Sequence, residues 1–205
     1  MRSGRKSALT ESLVSQYPLL DVQPNVKLWP CVLDGGYLLQ AVDWKKGSTY
    51  IDIINCYHSF IKRYGEKIIV VFDGYLNSNT KDLTHEKRYP IKSLRIKIDD
   101  DMKSDCRKEL FLSNPENKQD FINILGQKLR SFGYTVIHHE NDADVLIAEK
   151  VVELAKDQNI RVVCDDTDVF MLLLAKLDKT NEFLVYLKQP KVFGCLCVRF
   201  GLVFK

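Results

Sequence analysis

Two short segments place paired carboxylates at a fixed spacing. His139-Glu-Asn-Asp-Ala-Asp-Val-Leu-Ile-Ala-Glu149 sets Asp142 and Asp144 two residues apart, and Val162-Val-Cys-Asp-Asp-Thr-Asp-Val169 does the same with Asp166 and Asp168. Each pair stands where an apolar run gives way to a helical pattern. Two earlier aspartates also follow apolar runs, Asp34 after Cys31-Val-Leu33 and Asp73 after Ile68-Ile-Val-Val-Phe72. In an open parallel α/β sheet, ligands bind outside the carboxyl ends of the strands. Four strands ending this way would gather six carboxylates at one edge. Crowded carboxylates raise each other's pKa values unless something positive neutralises them. The simplest neutraliser is a hard divalent cation with oxygen ligands, Mg²⁺ or Mn²⁺. Any one of these aspartates taken alone reads as the N-cap of the following helix. A cap needs one carboxylate per helix, however, and explains neither the doubled spacing nor its recurrence on consecutive strands.

The elements that must position these carboxylates follow from periodicity. Strands are expected over 27–33, with Pro30 arguing for a late or irregular start, and over 67–72, 134–138, 160–164 and 182–187. Gly35 and Gly36 after Asp34 permit a tight turn and a close approach to a ligand. Helical spacing of Ile51, Ile54, Tyr57 (or His58) and Ile61 predicts a helix over 50–64, stopped at Gly65. A further helix starts at Pro115, capped by Ser113 or Asn114, with Phe121, Ile124, Leu125 and Leu129 as its buried stripe. The remaining helices are expected over 142–156 and 167–175. Between them, 90–114 is charged and irregular and reads as a mobile helical excursion or lid, its Asp99-Asp100-Asp101 run a solvated surface. If 80–88 is helical, Lys81 and Arg88 share a face with His85. A basic pair placed after Asp73 suits a phosphate clamp, although an exposed helix face explains the same residues.

Composition sets the outer limits. The 205 residues suit one globular domain, with 45% hydrophobic and 28% charged residues and a formal net charge of +3. Lys and Arg are frequent between 81 and 108, which fits a polyanionic partner near a metal centre. The six cysteines show no disulfide-framework spacing. Cys31 and Cys164 read as small buried hydrophobes, and Cys195-Leu-Cys197 lacks the second ligand pair of a zinc site. The basic start, Met1-Arg-Ser-Gly-Arg-Lys6, is followed by no long apolar run, so neither a signal peptide nor a membrane span is expected. An intracellular location, nuclear or cytoplasmic, is the expectation. Residues 1–26 read as a loose leader, 27–188 as the domain, and 189–205 as an atypical, truncated-looking segment.

Taken in order, Val32-Leu-Asp34-Gly, Val70-Val-Phe-Asp73-Gly74, the basic stretch through Lys81 and Arg88, Asp142-Ala-Asp144-Val-Leu-Ile-Ala148 and Asp166-Thr-Asp168 resemble the flap-endonuclease/XPG-type division of the PIN-like nucleases. The nearest likeness is to asteroid-like proteins and related animal proteins. The likeness covers 27 to about 187, and its specificity lies in the ordered set. It implies a PIN-like (Rossmann-like) three-layer α/β fold around a central, mostly parallel sheet of about five strands. It also implies a two-ion Mg²⁺ or Mn²⁺ site held by Asp34, Asp73, Asp142, Asp144, Asp166 and Asp168, with Lys81 and Arg88 on the scissile phosphate. The implied activity is structure-specific cleavage of DNA or RNA. The family has Glu where Asp142 and Asp144 stand. Its last metal-site Asp and its duplex-gripping helices have no counterpart here, so this chain is expected to be a weak or incomplete nuclease. The alternative is an inactive PIN-like scaffold that binds nucleic acid or protein. Asp166-Thr-Asp168 also resembles the first motif of haloacid-dehalogenase-type phosphatases, but that motif belongs on an early strand.

Overall fold

The inner strands are largely aliphatic apart from Arg161, the pattern of strands covered on both faces. Cys31, Val32 and Leu33 are fully buried, as are all five residues of Ile160–Cys164. The computed structural model describes residues 26–74, 95–139, 143–176, 182–187 and 196–199. After a 3₁₀ turn at Val26–Leu28, the elements run β1 (Cys31–Asp34), α1 (Gly35–Ala41), α2 (Tyr50–Lys62), β2 (Ile68–Asp73), α3 (Lys108–Leu112), α4 (Pro115–Ser131), β3 (Thr135–His139), α5 (Ala143–Leu154), β4 (Ile160–Cys164), α6 (Thr167–Lys176), β5 (Glu182–Leu187) and β6 (Leu196–Arg199).

These strands form one sheet in the order β3-β2-β1-β4-β5-β6, parallel except for the antiparallel β5–β6 pair. The α/β class and the mostly parallel sheet therefore agree with the sequence. The sheet differs from the expected five or so strands by β6, which lies inside the segment read as atypical. Successive strand residues serve opposite faces. Leu33, Val70, Phe72 and Val136 join Leu38, Ile54, Tyr57, Phe121 and Leu125 in one core. Val32, Val71 and Val162 join Ala143, Ile147, Val151, Val169 and Phe170 in the other. Helices α1, α2 and α4 thus cover one face, and α5 and α6 the other, giving three layers.

Several local expectations change. Strand β1 begins at Cys31, the late start that Pro30 argues for: Pro30 has no N–H to give to a ladder, and its carbonyl accepts from the Arg161 N–H at 2.8 Å. Gly35 and Gly36 open helix α1 rather than a bare turn. The demand on Gly35 is packing: a Cβ there would lie 2.2 Å from the Phe72 ring. In α4, Asn114 accepts from the Asn117 N–H at 3.0 Å and Pro115 follows as N1. Its buried stripe uses Ile122 beside Phe121, Leu125 and Leu129, while Ile124 is only partly buried.

Over 95–112 the expected mobile excursion is instead a strap. The Asp100 and Met102 carbonyls accept from the Ile51 and Tyr50 N–H groups at 3.0 and 3.1 Å, at the start of α2. Arg95 pairs with Glu116 and Asp120, and Asp100 with Lys128 at 2.5 Å. Lys108, buried, donates from Nζ to the Gln40 and Val42 carbonyls at 2.9 and 3.0 Å, at the C-terminal end of α1.

Gly35→Ala should lower stability by about 1–3 kcal/mol, the usual result of overpacking a filled core. A fall in the denaturant midpoint with unchanged slope would register it, and an unchanged midpoint would show that Phe72 can move aside.

Candidate metal centre

Sheet register brings the aspartates to one edge. Asp34 ends β1 and is paired with Val71 of β2, which places Asp73 two residues beyond it. Leu33 pairs with Val163 of β4, so Cys164 stands beside Asp34 and the Asp165-Asp166 turn just above. Strand order reverses at β1: the chain moves outward to β2 and β3, then returns to place β4 on the other side of β1. A crevice at such a reversal, outside the carboxyl ends, is where open α/β sheets bind ligands.

Asp34, Asp73 and Asp166 are each fixed by main-chain N–H groups. Asp34 caps α1, accepting from the Gly36 N–H at 2.8 Å and the Tyr37 N–H at 3.1 Å. Asp73 accepts from the Ala143 N–H at 2.7 Å and so ties the end of β2 to the first residue of α5. Nothing in the local sequence signals that contact, because its partners lie seventy residues apart. Asp166 accepts from the Asp168 N–H at 2.9 Å at the start of α6. Asp144 opens α5 directly after the anchored Ala143. Capping, the simplest reading of Asp34, is therefore present in the structure and operates together with the clustering.

Asp144, Asp166 and Asp168 each offer an oxygen within 4.8 Å of the other two, and they form a group that could hold a metal ion. The dimension suits a hard cation. Oxygens lie about 2.0–2.6 Å from Mg²⁺ or Ca²⁺, so two ligands of one ion are separated by no more than roughly twice that. Asp144 and Asp166 are half-buried and Asp168 is exposed, which leaves a side open to solvent or a ligand. Asp34 and Asp73, at the ends of the neighbouring strands β1 and β2, are not members of this group.

The local field is acidic. Burial pushes the Asp34 carboxyl up to about 6, against the opposing pull of its two backbone hydrogen bonds, with Asp73 and Asp166 raising it further. The neighbouring Cys164 thiol is held above its ordinary range, first by burial and then by Asp34, Asp144, Asp166 and Asp165. Cys164 also donates its S–H toward the Asp166 carbonyl at 3.8 Å. Asp165, which carries part of this field, stands just before the paired positions and outside their spacing. Asp142, Lys81 and Arg88 lie outside the described residues.

Among the described residues, no helix is long and apolar enough to cross a membrane. No protein-family model matches the chain, and no curated protein matches it significantly.

A carboxyl whose folded pKa is raised binds more protons folded than unfolded, so its contribution to stability declines as pH rises. For Asp34 the window runs from about 3.8, its unfolded value, to about 6. In metal-free buffer, wild type should lose about 2–3 kcal/mol relative to Asp34→Asn across that window, at 1.36 kcal/mol per unit, then level off. Paired denaturant titrations at pH 3.5, 5 and 7 would test this, and a difference independent of pH would mean that Asp34 is not desolvated.

Proposed function

We propose that this chain is a metal-dependent phosphodiesterase domain of PIN-like type, acting on DNA or RNA. One observation carries the reading: Asp144, Asp166 and Asp168 bring carboxylate oxygens together at the strand-order reversal, with Asp34 close enough for Asp166 to raise its pKa. Such a site suits Mg²⁺ or Mn²⁺, which would lower the pKa of water and neutralise charge on a phosphoryl group. Asp144, Asp166 and Asp168 are the ligands we assign. Asp73 acts as a brace, holding the Ala143 N–H and with it the first turn of α5, where Asp144 sits. Asp34 fixes α1 and contributes negative charge. By resemblance, Asp142 joins the ligands, and Lys81 and Arg88 neutralise the scissile phosphate. No nucleophilic Ser or Cys is required: Cys164 is buried with its thiol held protonated, which suits packing rather than attack.

A second reading, a metal-free scaffold, is favoured by one feature. Both oxygens of Asp34 and one of Asp73 accept main-chain N–H groups, so these two carboxylates have a structural task without any ion.

The readings differ in how the protein responds to metal. An ion bound only by the folded state stabilises it by about 2.7 kcal/mol at a hundred times its Kd. Millimolar Mn²⁺ should therefore raise the melting temperature of wild type and leave Asp166→Ala unmoved. A melting temperature indifferent to Mn²⁺ and Mg²⁺ in wild type would favour the scaffold.

Activity is the second test. Flap, bubble and linear substrates incubated with Mn²⁺ should be cleaved by wild type, with cleavage lost in Asp166→Ala and Asp144→Ala. Cleavage that survives both substitutions would remove these residues from the reaction.

A further inference from the structure

Arg161 is the one charged side chain in an otherwise aliphatic strand, Ile160–Cys164, and it is 2% exposed. It lies at the amino edge of the sheet, at the opposite end of β4 from Asp166. No carboxylate pairs with it among the described residues. Its guanidinium instead donates from one terminal nitrogen to three main-chain carbonyls: Lys27 at 3.4 Å, Trp29 at 3.2 Å, and Tyr64. Among the described residues its Nε is buried without a hydrogen-bond partner. Gly65 leaves room for this convergence. Its φ is +109°, and a Cβ there would lie 2.4 Å from the Lys27 carbonyl oxygen and 3.1 Å from the guanidinium.

A buried ion without a counter-charge is a poor source of stability, since apolar replacements of similar volume are often neutral or stabilising. What such a group supplies is discrimination between arrangements, because any arrangement that removes its acceptors strands a charge in the core. The β1–β4 pair needs that discrimination. Its register rests on three Cα pairs, Cys31 with Arg161, Val32 with Val162 and Leu33 with Val163. Every other residue in these pairs is small or aliphatic and buried, so a slip of two residues would leave apolar side chains facing apolar side chains. That slip moves β4 by roughly 6.6 Å, at about 3.3 Å per residue. The displacement exceeds the 4.8 Å within which Asp144, Asp166 and Asp168 meet.

We propose that Arg161 is a positioning residue for the acidic edge: from the far end of β4 it selects the β1–β4 register that brings Asp166 and Asp168 to Asp144. The consequence for metal rests on the proposed metal centre, whereas the consequence for register does not. The test uses the full chain with Arg161→Met, which keeps length and removes charge, and Arg161→Lys, which keeps a cation that must find the same carbonyls. Interstrand methyl NOEs between Val32 and Val162 and between Leu33 and Val163 report register, and Mn²⁺ titration reports the site. Arg161→Met should remain folded, show more than one β1–β4 register, and bind Mn²⁺ at least tenfold more weakly. Arg161→Lys should keep the native NOEs. A folded Arg161→Met protein with only native NOEs overturns the proposal. If Arg161→Met does not fold, Arg161→Gln takes its place under the same reading: mixed registers support the proposal and native NOEs alone overturn it. If wild type itself binds no Mn²⁺, the metal reading fails, and the NOEs still decide the role of Arg161.

Discussion

The pairing of β1 with β4 is the constraint on which the rest of this molecule depends. These two strands flank the point where strand order reverses, and they carry Asp34 and the Asp165–Asp168 turn at their shared carboxyl edge. The flanking strands extend the sheet outward from this pair. The two cores on either face draw their central residues from it, Leu33 and Val163 on one side and Val32 and Val162 on the other. Aliphatic strands of this kind are strongly driven to be buried but say little about alignment, since burial is non-directional. Alignment has to come from polar groups at the strand ends.

At the carboxyl edge those polar groups are carboxylates, and their energetics show which effect prevails. Asp34 receives two backbone N–H bonds at the start of α1, an arrangement that by itself stabilises the ionised form. Burial and the like charges of Asp73 and Asp166 outweigh it, leaving the carboxyl raised to about 6. Capping is therefore insufficient to neutralise this edge. An N-cap optimised for helix stability alone would gain nothing from two further carboxylates nearby. The unfavourable crowding is the kind of local inconsistency that proteins retain at functional sites.

Much of this was legible in the chain. Apolar runs followed by aspartate located the ends of β1, β2 and β4, and the spacing of Ile54, Tyr57 and Ile61 located α2, because both signals depend only on local periodicity. The parallel sheet and the common edge followed from alternating strands and helices. What could not be read depends on contacts between distant segments. Helix α1 was missed because Gly35-Gly36 argues for a turn, and only the Phe72 ring from β2 explains the first glycine. The strap over 95–112 looked like free surface because its anchors are main-chain groups of α2 and the C-terminal carbonyls of α1, which no side-chain pattern encodes. That Asp144, Asp166 and Asp168 come within reach of one ion also requires the fold, since all the aspartates look alike in sequence.

The two edges of the sheet follow one rule with opposite sign. Helices after parallel strands begin at the carboxyl edge and end at the amino edge. Unsatisfied N–H groups therefore collect at one edge and unsatisfied carbonyls at the other. Carboxylates answer the first: Asp34 meets the N–H groups of α1 and Asp73 that of Ala143 in α5. Cations answer the second: the Lys108 ammonium meets the last carbonyls of α1, and the Arg161 guanidinium meets the Tyr64 carbonyl just beyond α2. Lys108 and Arg161 are buried, so their charges are confined to holding the chain together. On the acidic side, Asp168 remains exposed and Asp144 and Asp166 half-buried, so carboxylates gathered by the polarity of the fold remain accessible to a cation from solution.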